Sequence, residues 1–129
     1  MPNARIRNLR KAIAEVGADA MLVTHPVNRR YLSGFTGTSG VVLVSAGAAA
    51  LVTDFRYQEQ APQQAVGFDI VVHGLDMNAS IAEWLLTQGV KRLLFEEGHV
   101  TFAQHAAMAE AFAPVELAPA GGPVERLRM

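Results

Sequence analysis

The chain has no cysteine, which excludes a disulfide framework and any thiolate-ligated zinc site. That absence fits a reducing compartment, and we expect a cytoplasmic protein. Charge is also scarce: Asp, Glu, Lys and Arg make up 18% of the residues, against about 25% in an average globular domain. Eleven basic and twelve acidic side chains leave a net charge of −1, so the basic footprint of a nucleic-acid binder is missing. Long apolar runs are missing too. The longest, "GVVLVSAGAAALV" from Gly40 to Val52, falls short of the roughly 20 residues that cross a bilayer. The opening "MPNARIRNLR" lacks the apolar core of a signal peptide. No membrane and no nucleic acid are therefore expected as partners. A surface this poor in charge implies that some face is covered by a partner.

What is present has the patterning of one ordinary α/β domain. Ile6, Leu9, Ile13 and Val16 mark a helical stripe, with Asn3 as its N-cap and Gly17 closing it. "ADAMLVT" reads as a buried strand, and Asn28 as the cap of a short helix carrying Tyr31 and Leu32. "GVVLVS" and "AALVT" read as a hairpin turning at Ala46-Gly47. Asp54 can cap the next helix, which Pro62 should kink or split. "FDIVVHG" and "KRLLFEE" are strands, followed by helices from Met77, with Gly89 after its end, and from Thr101. "VELAP" reads as a last strand, and "PVERLRM" starts a helix that stops in mid-pattern, as if a longer protein continues. Alternating strands and helices argue for an α/β sandwich, and the hairpin for a mixed sheet.

The glycine-rich stretch "NRRYLSGFTGTSG" (Asn28 to Gly40) raises the question of chemistry. It has no lysine, so it is not a Walker loop. Its G-x-x-G-x-x-G spacing and the strand that follows do not fit the dinucleotide fingerprint. "GTSG" fails the G-x-S-x-G pattern of a nucleophile elbow. We read these glycines as turn residues that permit positive φ or close backbone approach. Glu96, Glu97 and His99 could gather ligands at a strand end, but a polar βα turn explains them better, and His25, His73, His99 and His105 contain no H-E-x-x-H. Asp54 and Arg56 lie close enough for a local ion pair; alternatively Arg56 presents its planar guanidinium to a carboxylate ligand. No nucleophile with its base and no carboxylate pair spanning a water is visible. Catalytic residues and metal ligands are expected to be absent.

Two segments are specific when taken together: N-x-x-Y-L-S-G-F-T-G-T-S-G from Asn28 to Gly40, and T-D-F-R-Y-Q-E-Q-A from Thr53 to Ala61. With "AEVGADAMLVT", "GFDIVVHG", "VKRLLFEEGHVTF" and "PVERLRM" in order, the chain resembles the N-terminal domain of the creatinase/prolidase/aminopeptidase P family. The resemblance implies a three-layer α/β/α sandwich with a mixed sheet of the ribonuclease H-like type. It implies residues 1–123 as that domain and residues 124–129 as the start of a linker to a C-terminal metallopeptidase domain. That second domain would carry two divalent ions, manganese or cobalt, on two Asp, one His and two Glu, and would hydrolyse the bond before proline in short peptides; this chain would hold no cofactor. Similar N-terminal domains narrow the active-site entrance, often that of a neighbouring subunit, so a homodimer partner is implied. Tyr31, Phe35, Thr38, Ser39, Arg56 and Tyr57 are carried over as a substrate-facing or dimer-facing patch. The chain lacks the aromatic and basic insertion of creatinase-like members, which argues against creatine as a substrate.

The resulting expectation is an accessory domain of an Xaa-Pro dipeptidase or aminopeptidase, inactive alone. The competing reading is a stand-alone binding or dimerisation module that shares the fold without the peptidase.

Overall fold

The structure is a computed structural model and describes residues 3–129. One six-stranded sheet has the order β4-β3-β2-β1-β5-β6. Its strands are β1 (Ala20–Val23), β2 (Val41–Ser45), β3 (Ala49–Thr53), β4 (Asp69–Val72), β5 (Arg92–Phe95) and β6 (Glu116–Pro119). β2 runs antiparallel to both β1 and β3, while β1–β5, β5–β6 and β3–β4 pair in parallel. All strands except β2 therefore point their carboxyl ends at one edge, and β2 starts from that edge.

Both faces of the sheet are covered, so the central strands read as continuous apolar runs. Side chains alternate between faces with period two. Met21, Val23, Val42 and Val44 meet α1 (Ala4–Glu15), α2 (Pro26–Ser33), α3 (Gln60–Gln64) and α6 (Pro123–Arg128) through Leu9, Leu32, Ala61 and Val124. On the other face Ala20, Leu22, Val41 and Leu43 meet Ile81, Trp84 and Leu85 of α4 (Met77–Thr87) and Met108 and Phe112 of α5 (Phe102–Phe112). Each fully buried leucine here contributes about 1.5–3 kcal/mol. The layers and the mixed sheet with its β2–β3 hairpin are those expected. α6 occupies most of the segment 124–129, and Val124 within it is fully buried.

Three local details differ from the expectation. The α1 stripe ends at Ile13, because the helix stops at Glu15 and Gly17 takes a φ of +72°, turning Val16 out to solvent. His25, not Asn28, caps α2: its Nδ1 accepts the Val27 N–H at 3.0 Å. Asn28 lies inside the helix and is fully buried. The segment after Asp54 splits into a 3-10 turn (Phe55–Tyr57) and α3. The break precedes Pro62, which sits in the first turn of α3, where a missing N–H costs no helical hydrogen bond.

Candidate functional site

The loops at the carboxyl edge of the sheet enclose a cleft of about 530 Å³, lined by Thr24, Arg29, Thr38, Ser39, Asp76 and His99 among others. Crevices of this kind, outside the carboxyl ends of strands, are where open α/β sheets commonly bind ligands. The glycine-rich loop forms one wall. It leaves α2 through Gly34, whose φ of +81° ends the helix, and then folds back over Phe35. A Cβ on Gly37 would lie 2.2 Å from the Phe35 ring. The glycine is therefore needed for close approach to an aromatic ring, and not for phosphate.

Arg29 holds this wall in place. Its guanidinium is buried, donating from Nη1 to the Gly40 carbonyl and from Nη2 to the Gly37 carbonyl, both at 2.7 Å. Burial pushes its pKa below the usual arginine value. Among the described residues no carboxylate pairs with it, so the loop carbonyls are its compensation. Sequence reasoning missed Arg29. "RR" offers two candidates, and only the phase of α2 decides that Arg29 turns inward while Arg30 stays exposed.

Tyr57 fastens the loop from outside. The Thr38 N–H reaches its hydroxyl at 3.1 Å and Thr38 Oγ1 lies 2.6 Å from it. Its ring meets Phe35 edge-on, with centroids 5.3 Å apart. The Thr38 hydrogen bonds lower the Tyr57 pKa. Next to it Arg56 grips Asp54 bidentately, Nε to Oδ1 and Nη2 to Oδ2, each at 2.8 Å. The hydrogen bond from Arg56 holds the Asp54 carboxyl down at about 2 and raises the arginine in turn. Arg56 stays largely exposed.

The six residues proposed from sequence are thus only partly gathered. Thr38, Ser39, Arg56 and Tyr57 share the edge. Phe35 is fully buried and supports the patch from beneath, contrary to a surface-facing role. Tyr31 belongs to a different neighbourhood: its ring lies under Arg5 and its hydroxyl donates to the Leu127 carbonyl at 3.0 Å. Of the strand-end group, Glu96 turns inward to accept the N–H groups of Thr24 and His25, and Glu97 accepts the Gly121 N–H. His99 instead meets His25 and Glu125, three positions no spacing pattern connects.

The donor set at this edge does not fit a dinuclear metal centre of two Asp, one His and two Glu. Asp54 is committed to Arg56, Asp76 caps α4, and Glu96 is held by amides.

A mixed sheet covered by helices on both faces, with a loop-walled cleft at its carboxyl edge, defines the class of domain. Residues 5–129 match the Creatinase/Prolidase N-terminal domain, and the chain belongs to that family. A peptidase of Bacillus subtilis, YqhT, named as uncharacterized, is 38% identical over 97% of this chain but only 35% of its own length. The solved Xaa-Pro dipeptidase from Bacillus anthracis superposes with a TM-score of 0.93 at 42% identity, covering 97% of this chain and 35% of that one. The crystal structure of the N-terminal domain of the cytoplasmic peptidase PepQ from Mycobacterium tuberculosis superposes with a TM-score of 0.90 at 40% identity, covering 98% of this chain and all of that one. The chain therefore spans about a third of the full-length relatives.

Proposed function

We propose that this chain is the access-controlling N-terminal domain of a metal-dependent Xaa-Pro peptidase, acting on the bond before proline in short peptides. The observation that carries the reading is the 0.93 TM-score over 97% of the chain to the corresponding third of an Xaa-Pro dipeptidase. A C-terminal domain supplies the manganese or cobalt ions and the hydrolytic water, and a second copy of the protein pairs with the first. The relative named as a cytoplasmic peptidase supports a cytoplasmic setting. This domain contributes the wall formed by Thr38, Ser39, Arg56 and Tyr57. Arg29 and Phe35 keep that wall in position, so the loop keeps one shape when a peptide arrives. The exposed side of the Arg56 guanidinium faces outward for a peptide carboxylate or a partner subunit.

In the enzyme formed with its C-terminal domain, Arg56→Ala is expected to raise KM or lower kcat on an Xaa-Pro dipeptide while metal content stays unchanged. Unaltered kinetics would return Arg56 to its pairing with Asp54 alone. Cleavage of the dipeptide by the 129-residue chain by itself, in the presence of manganese, would overturn the accessory reading.

A further inference from the structure

We propose that His25, His99 and Glu125 form a binding site for a single zinc-like divalent cation that ties α6 to the carboxyl edge of the sheet. One ligand atom from each lies within 4.8 Å of the other two. The three come from separate elements. His25 is the residue before α2, His99 sits in the turn between β5 and α5, and Glu125 lies in the first turn of α6. The two imidazole rings are in direct contact, with centroids 3.8 Å apart at an interplanar angle of 60°.

The surroundings hold these groups in place. Glu96 accepts the backbone N–H of His25 at 2.8 Å, and its own carbonyl accepts the N–H of His99 at 2.9 Å. Thr24 Oγ1 donates to the His99 carbonyl. Asn28 Nδ2 donates to Oε2 of Glu125 at 2.9 Å and to Oε2 of Glu96 at 2.6 Å. Hydrogen-bonded carboxylates of this kind are the usual outer support of metal ligands.

The second observation concerns Glu125 itself. Its Oε1 is sealed from solvent and has no hydrogen-bond partner. An ionised oxygen in that position is costly unless a proton donor or a cation meets it. A carboxylate oxygen of Glu125 lies within 4.8 Å of a ring nitrogen of each imidazole.

Two imidazoles and a carboxylate select a borderline ion such as zinc over magnesium or calcium. Tetrahedral zinc, with bonds of about 2.0–2.1 Å, sets its ligands about 3.3 Å apart. The three atoms, up to 4.8 Å apart, must therefore close up, and rotation of the exposed His99 ring brings its nitrogen toward the other two. Three protein ligands leave the fourth position to solvent. His25 carries the largest change. While its Nδ1 accepts the Val27 N–H, the neutral ring keeps its proton on Nε2. An ion must displace either that proton or the Val27 hydrogen bond, and the Val27 amide reports on it.

The test is a calorimetric titration of zinc into the metal-stripped 129-residue chain, with cobalt as an absorbing substitute and the Val27 amide followed by NMR. The PepQ relative, solved as this domain alone, shows that a domain of this family stands by itself. One saturating ion per chain is expected, with a shift of the Val27 amide and a rise in melting temperature. His99→Ala and Glu125→Gln should each weaken binding by at least about tenfold; His73→Ala and His105→Ala should leave it unchanged. His25→Ala also removes a helix cap, so the exposed His99 carries the decision. Absence of saturable binding would overturn the site. Undiminished affinity in His99→Ala, or loss of affinity in the His73 or His105 variant, would overturn it equally.

Discussion

Asp54 accepts two hydrogen bonds from one guanidinium two residues away, and they lower its pKa. The carboxyl is held at about 2 in the folded chain, against about 3.9 in an unfolded one. A depressed folded value means that the pairing stabilises the fold above about pH 4 and loses that contribution as the pH falls toward 2. Carboxyl-detected NMR should give Asp54 a midpoint near 2, and Arg56→Gln should return it toward about 3.9. A variant that still titrates near 2 would show that the arginine is not the cause. This pair was legible in the sequence because its partners are adjacent and share one turn. Arg29 was not legible. Nothing in "NRRY" distinguishes the arginine that is buried beneath a loop from the one beside it that stays in water.

At the scale of elements, helix ends were the most readable features, since a cap and the amides it serves are three residues apart. Thr101, where the helix was expected to start, caps α5, and Gln104 completes the reciprocal box by accepting the Thr101 N–H at 2.8 Å. Thr101→Ala should lower stability by about 1 kcal/mol, read as an earlier urea midpoint with an unchanged slope. An unmoved midpoint would mean that water serves the freed amide equally well. α2 shows where this reasoning stops. Asn28 has the preferred chemistry of a cap, yet its amide is directed to Glu96 and Glu125 from other elements, and the imidazole of His25 takes the terminal position. A competing tertiary hydrogen bond overrode a local preference.

Across the whole molecule, Asn28 is the buried link between distant parts of the chain, reaching Glu96 and Glu125 over 68 and 97 residues. Asn28→Ala leaves two carboxylate oxygens short of a donor, at a cost of about 1–3 kcal/mol for each group left unpaired. Equilibrium unfolding should register a loss of about 2–6 kcal/mol for the two together. A variant as stable as the parent would show that solvent reaches and satisfies both glutamates. The same network ties α6 to the carboxyl edge of the sheet through Glu125.

The sequence by itself determined the elements, the hairpin, the mixed sheet and the family, because apolar period, capping residues and turn glycines act over a few neighbouring positions. Only the tertiary structure decided that Phe35 and Arg29 lie inside, that Tyr31 stands apart from Arg56 and Tyr57, and that His25, His99 and Glu125 meet. Those outcomes depend on the strand order β4-β3-β2-β1-β5-β6, which brings segments far apart in the chain to one edge. Side-chain periodicity reports which face of an element is buried; it carries no information about which other element will cover it.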